Sequence, residues 1–191
     1  MVSSGISSSS SGPRRHAVLV ATGADRPGLL DDVSLFLHEH AVSILESRVC
    51  LLRGQFALLL LVRGEEDSLR TVDHDLPRLA DRIGIDVRLR DASSESASSD
   101  HTPLRLRASG KNPANVVHRI SHLMRVLNVN IENIETGTSS DPLAMANGGE
   151  SAAFELEMDL SVPRSTPVMM LRQYVESLAR ELSITCDVNP L

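Results

Sequence analysis

Residues 21–47, ATGADRPGLLDDVSLFLHEHAVSILES, align without a gap on residues 108–134, ASGKNPANVVHRISHLMRVLNVNIENI, at an offset of 87. Five identities anchor the match: Ala21 with Ala108, Gly23 with Gly110, Ser34 with Ser121, Val42 with Val129 and Ile44 with Ile131. The pattern agrees further than the identities. Leu29, Leu30, Val33, Phe36, Leu37 and His40 fall opposite Val116, Val117, Ile120, Leu123, Met124 and Leu127, and both sets have the spacing of one helix face. The match resumes between RLADRIGIDV, from Arg78, and SLARELSITC, from Ser177, now at an offset of 99. The growth from 87 to 99 places a 12-residue insertion in the second half, around GTSSDPLAMANGGE at 137–150. A chain that contains itself twice must fold as two copies of one unit.

Each copy reads as strand, helix, two strands, helix, strand. In the first half these are 16–21, 27–40, 42–51, 55–62, 67–83 and 85–89. In the second they are 104–108, 114–127, 130–136, 152–162, 167–182 and 184–188. Pro77 inside the second helix predicts a kink or a late start there. The order βαββαβ is that of the ferredoxin-like fold, an α+β architecture with a four-stranded antiparallel sheet and both helices on one face. Units are expected at 14–91 and 103–191, with a serine-rich tail at 1–13 and ASSESASSDHT, 92–102, as linker.

Composition narrows the function classes. With 41% apolar and 23% charged residues the chain is ordinary for a soluble globular protein. A net charge of −6 and only 2% aromatic residues argue against nucleic acid as a direct partner. No apolar run approaches a membrane span, and the start, MVSSGISSSSSGPRR, lacks the apolar core of a secretory signal. Cys50 and Cys186 have no metal or disulfide spacing and read as reduced, mostly buried thiols. A cytoplasmic location follows.

The strands distinguish the two open sheet faces. In LRLRA and FELEMDL, Leu104, Leu106, Phe154, Leu156, Met158 and Leu160 alternate with Arg105, Arg107, Glu155, Glu157 and Asp159. The charged set can pair across neighbouring strands and stay wet. The matching positions of the first half are apolar: Val18, Val20, Ala57, Leu59 and Leu61. A contiguous apolar face predicts an interface, with a second subunit in a homodimer, another protein or the other domain as its cover.

Catalytic chemistry is sparse. His118 and His122 stand at i, i+4 but lack the glutamate of a zinc protease motif and a third ligand, so a solvated helix edge suffices. His40 occupies a core position and is expected to pack by its ring. Asp31 and Asp32 fall in a first helical turn, where the dipole favours them. No phosphate loop or nucleophile elbow is present, so no metal, cofactor or enzymatic activity is expected.

The most suggestive stretch is GADRPG, 23–28, between a strand and a helix. Amides at a helix N-terminus suit a carboxylate. Gly28 there either serves a tight turn or leaves room for a close approach, Asp25 can hold turn amides or meet an ammonium, and Pro27 is expected at the first helical position.

A βαββαβ unit with DRPG at this corner resembles the ACT domain, a regulatory module that commonly recognises amino acids. Two tandem units, with NVNIENIET and then FELEMDLSVP in the second, resemble the glycine cleavage system transcriptional repressor family. The resemblance implies ligand sites where two units meet, involving Asp25, Arg26, Pro27, Gly28 and Leu29 in the first unit. In the second it implicates Asn112, Pro113, Ala114 and Asn115, with Asn128, Asn130 and Ile131 from the following strand. The second loop reads NPAN, so Asn115 replaces the glycine and Asn112 the aspartate. One good site, around Gly28, is therefore expected. The resemblance implies a non-enzymatic regulator that binds an amino acid, with glycine as candidate, and acts through a protein partner. The alternatives are a feedback subunit of a biosynthetic enzyme and an assembly module without ligand.

Overall fold

The computed structural model describes residues 13–92, 100–111, 114–140 and 152–191. Most of the serine-rich tail and linker, the insertion beyond Ser140, Asn112 and Pro113 lie outside the described residues. The chain divides into two compact units, Met1–Glu95 and Ser96–Leu191.

Unit 1 comprises β1 (Arg14–Ala24), α1 (Leu29–Glu39), β2 (Ser43–Leu52), β3 (Gln55–Glu65), α2 (Glu66–Ile83) and β4 (Asp86–Asp91). Unit 2 repeats the order with β5 (His101–Gly110), α3 (Val116–Val126), β6 (Asn130–Ser140), β7 (Ala152–Pro163), α4 (Val168–Leu182) and β8 (Thr185–Pro190). Both sheets are antiparallel, ordered β2-β3-β1-β4 and β6-β7-β5-β8. Each unit is thus the expected ferredoxin-like fold.

Period-2 patterning decides which strand residues enter the core. In unit 1 Ala17, Leu19, Ala21, Phe56, Leu58, Leu60 and Val62 are buried beneath Leu29, Val33, Phe36 and Leu37 of α1 and Leu69, Val72, Leu76, Leu79 and Ile83 of α2. In unit 2 the predicted apolar set, Leu104, Leu106, Phe154, Leu156, Met158 and Leu160, is buried without exception. Each fully buried side chain of this size contributes about 1.5–3 kcal/mol. Leu30, read as part of the α1 core face, is 45% exposed because it lies at the edge of that stripe. Pro77 neither delays nor divides α2, which starts at Glu66 and runs to Ile83. Its five buried apolar residues hold the helix on the sheet across the one backbone bond that proline removes.

The repeat extends to backbone conformations. Three left-handed positions recur in the two units: Gly28 with Asn115, Ala41 with Asn128, and Gly84 with Ser183. A bulge between Ile44 and Glu46 recurs between Ile131 and Asn133. Ala41 closes α1 at φ 57, with the Val42 amide donating to the Leu37 carbonyl at 2.9 Å. Alanine is strained there by about 1–2 kcal/mol, which glycine does not suffer. Ala41→Gly is expected to raise stability by about 0.5–1 kcal/mol after allowing for the extra freedom of the unfolded chain, read from the urea midpoint.

His40 packs by its ring as expected, 4.3 Å from the Phe36 ring by centroid, and is also polar in use. Its Nε2 lies 3.3 Å from Asp75 Oδ2, while Nδ1 lies 2.8 Å from the Phe36 carbonyl oxygen. The hydrogen bond from His74, and then that from His40, hold the Asp75 carboxyl below the usual carboxylate range. Cys50 departs from the buried state expected of it. It lies on β2, an edge strand exposed along its whole length. Cys186 is half-buried, and burial pushes its thiol up to about 12.

Candidate ligand-binding site

The turn from β1 into α1 is tied down at both ends. The Asp25 amide donates to the Gly54 carbonyl of the β2–β3 hairpin at 2.9 Å. The Asp32 amide makes the first helical bond, to the Gly28 carbonyl at 2.9 Å. Pro27 therefore precedes the helix instead of opening it, and Gly28 is the N-cap, at φ 90 and ψ −4. A left-handed residue cannot belong to a right-handed helix, so α1 starts at Leu29.

This conformation answers half of the question that Gly28 raises. A Cβ there would meet only the Arg26 Nη1 atom, at 3.7 Å, so the glycine is required by its φ and not by crowding. Asn115 stands at the equivalent N-cap of α3 with φ 64. Asparagine is the other residue that visits this region readily, which explains why NPAN can replace DRPG without changing the turn.

Neither N-cap supplies a side-chain hydrogen bond to its helix. In α1 the amides of Leu29, Leu30 and Asp31 precede the first helical bond, and no capping side chain serves them. Arg26 folds back over this end. Its guanidinium donates to the Pro27 carbonyl at 3.1 Å, to Asp32 Oδ2 at 2.9 Å and to the Ile83 carbonyl, at the end of α2, at 3.5 Å. Asp25 is exposed, and its carboxylate makes no hydrogen bond with another described residue. The Leu29 side chain is 1% exposed and belongs to the core, leaving only its backbone to the turn.

A matching profile for the ACT domain covers residues 15–90, from the second residue of β1 to the fifth of β4. A protein of Methanopyrus kandleri, UPF0237 protein MK1213, is 36% identical over 74 residues, spanning 38% of this chain and 82% of the relative. The chain belongs to the ACT-domain family. The glycine cleavage system transcriptional repressor of Escherichia coli is 18% identical over 176 residues, which cover 92% of this chain and 90% of that protein. A crystal structure of an unknown protein from Galdieria sulphuraria superimposes with a TM-score of 0.77 at 21% identity, covering 94% of this chain and 99% of the other. Both ferredoxin-like units are therefore present in that fold.

Unit 2 scatters its implicated residues. Ala114 and Asn115 lie at the start of α3, while Asn128, Asn130 and Ile131 follow its end. Eleven helical residues separate the two groups by about 16 Å. Asn128 is left-handed, with its amide bonded to the Arg125 carbonyl at 3.1 Å, and Asn130 donates to Glu132 Oε1 at 2.7 Å. Unit 2 thus does not gather its set at one point. A hollow of about 560 Å³ on its open sheet face is lined by Arg107, Glu135, Glu155, Glu157 and Asp187. Arg107 already binds Glu157 at 2.7 Å, so the hollow has no uncommitted cation for an amino-acid carboxylate.

His118 and His122 have ring centroids 6.2 Å apart, and no group of histidine, cysteine or carboxylates suited to a metal occurs among the described residues. No helix among them is long and apolar enough to cross a membrane. Arg26 was named by resemblance alone. Its reach to Ile83 joins residues 57 apart in sequence, a link that no local motif records.

Proposed function

We propose that the protein is a non-enzymatic regulator that binds a free amino acid at the first turn of unit 1 and acts through a protein partner. The observation that carries this reading is the start of α1, where three amides lack a capping side chain beside an uncommitted Asp25 carboxylate. A zwitterion suits this corner: its carboxylate meets the amides, and its ammonium meets Asp25. Glycine is the first candidate, since the chain is similar end to end to a protein named for repression of the glycine cleavage system. Regulation then requires that the amino acid favour one of two partner-binding states. The net charge of −6 suits action through a protein and not directly on DNA.

The test is a thermal-shift and equilibrium titration of the full chain with an amino-acid panel that includes glycine and serine. Binding by wild type, weakened about tenfold or more in Asp25→Asn, is expected for an ammonium partner lost at a fixed turn. Equal affinity in the variant would remove Asp25 from the site. No response to any amino acid would leave an assembly module without ligand.

A further inference from the structure

The two units finish one edge of their sheets differently. β4 and β8 are edge strands, paired on one side only, with β1 and β5. In an antiparallel ladder, residue pairs that exchange backbone hydrogen bonds alternate with pairs whose groups point away. The Leu191 amide donates to the Pro103 carbonyl, so Val188 and Pro190 turn their backbone groups away from β5. Both positions are blunted. Arg172 of α4 donates to the Val188 carbonyl at 3.1 Å, and proline has no N–H to offer. In unit 1 the Ala92 amide donates to the His16 carbonyl at 3.2 Å, so Val87, Leu89 and Asp91 turn away from β1 in the same manner. At the offset of 99, Asp73 stands where unit 2 has Arg172, and Asp91 where it has Pro190. A carboxylate cannot donate to a carbonyl, and Asp91 keeps its N–H. No side chain among the described residues takes up these outward groups.

Beside this edge lies a hollow of about 620 Å³ between α2 and β4. Its floor is apolar, from Leu76, Pro77 and Ala80 of α2 and Val87 and Leu89 of β4. Asp73 and Asp81 border it on the helix side, both exposed and neither making an ion pair or hydrogen bond with another described residue. Arg88 and Arg90 border it from the other side of the sheet, since alternation sets them opposite to Val87 and Leu89, and Arg88 holds Asp86 at 3.1 Å. The helix wall of the hollow is thus negative. A strand added to β4 sends alternate side chains toward that wall, and residues four apart in it lie about 13 Å from one another. Asp73 and Asp81, on α2, are separated by about 12 Å of helix. Two basic residues four apart would meet both carboxylates. A second copy of β4, paired antiparallel, would bring Val87, Leu89 and Asp91 to the same side, and no cation.

We propose that the free edge of β4 takes up an extended segment of the protein partner as an added antiparallel strand, with basic side chains four residues apart facing α2. The proposal rests on the reading of the chain as a regulator that works through a partner, and names where and by what chemistry the partner is held.

The probe is a synthetic peptide of alternating lysine and threonine, with two counterparts. One has glutamate at every lysine. The other is N-methylated on the backbone of every lysine, whose N–H groups are those that would face β4. Binding to the full chain is followed by fluorescence anisotropy, and amide exchange by NMR. The lysine peptide is expected to bind and to slow exchange at Val87, Leu89 and Asp91. It is expected to lose about tenfold or more in affinity with Asp73→Arg, which supplies the cap that unit 2 has, and with Asp81→Lys. Neither counterpart is expected to bind. Binding by either counterpart as tight as by the parent, unslowed exchange at the three amides, or no binding of the lysine peptide would overturn the proposal. So would light scattering that shows wild-type dimers dissociating with Asp73→Arg, since a second copy would then hold the edge. The same samples are titrated with glycine. Amino-acid binding that persists when the peptide result fails overturns the strand addition alone, and peptide binding that persists without amino-acid binding overturns the ligand reading alone.

Discussion

Gly23→Ala is expected to destabilise unit 1 by about 2–3 kcal/mol, a large part of the stability of a small domain. A Cβ at Gly23 would overlap Ile85 Cγ2, lie 2.6 Å from Ile85 Cβ and lie 3.1 Å from Ile85 Cα. The last two atoms belong to or adjoin the backbone, so no rotamer of Ile85 relieves the clash. Ile85 is itself buried and follows the left-handed Gly84 that ends α2. The repeat supplies a control. At Gly110 the nearest atom is the equivalent Cγ2 methyl of Ile184, at 2.7 Å, with its Cβ at 3.3 Å and its Cα at 3.5 Å. Gly110→Ala should therefore cost less, about 1–2 kcal/mol. Hydrogen exchange read separately on peptides of each unit checks both values; equal losses, or none, would show that the close approach does not explain the paired glycines.

Leu19→Ala is expected to cost about 3–4 kcal/mol, and the adjacent Val20→Ala less than about 1 kcal/mol. Leu19 is 0% exposed on a central strand between Leu60 and Leu89, under the helices. Val20 faces the open side of the same strand and is only half-buried. The two cores draw on separate residues, 17–87 and 104–188, so the loss should fall on unit 1. Urea denaturation with exchange on each unit would detect it. Similar costs at the two positions would mean that the open face is as enclosed as the core.

The legible parts of this fold are those set by periodicity. Strand alternation in unit 2 marked six residues that are buried, and Arg105 and Arg107, which ion-pair with β7, because a half-covered sheet has one wet face and one dry one. The repeat marked both units because the same apolar spacing must build the same layer. What escaped depends on single dihedrals and long-range reach. Proline before a helix suggests a first helical position, but the left-handed Gly28 behind it delays α1 by two residues. The asparagine opposite it in the repeat carried that signal, since glycine and asparagine share one unusual conformation. Cys50 looked buried by composition, yet an edge strand that no helix covers leaves it exposed. The open edge of β4 was invisible until register showed which of its residues turn away from β1.

The central claim is that the first turn of unit 1 holds an amino acid, and Gly28→Asn tests it most directly. Asparagine already holds this conformation at position 115, so the variant keeps the turn while adding a side chain at the amides. Isothermal titration of wild type and variant with glycine and the wider panel is the measurement. Binding by wild type and a loss of about tenfold or more in the variant are expected, with the variant still folded by circular dichroism and its melting temperature only slightly lowered by asparagine at φ 90. Binding of equal strength in both, or heat from neither, would contradict the claim.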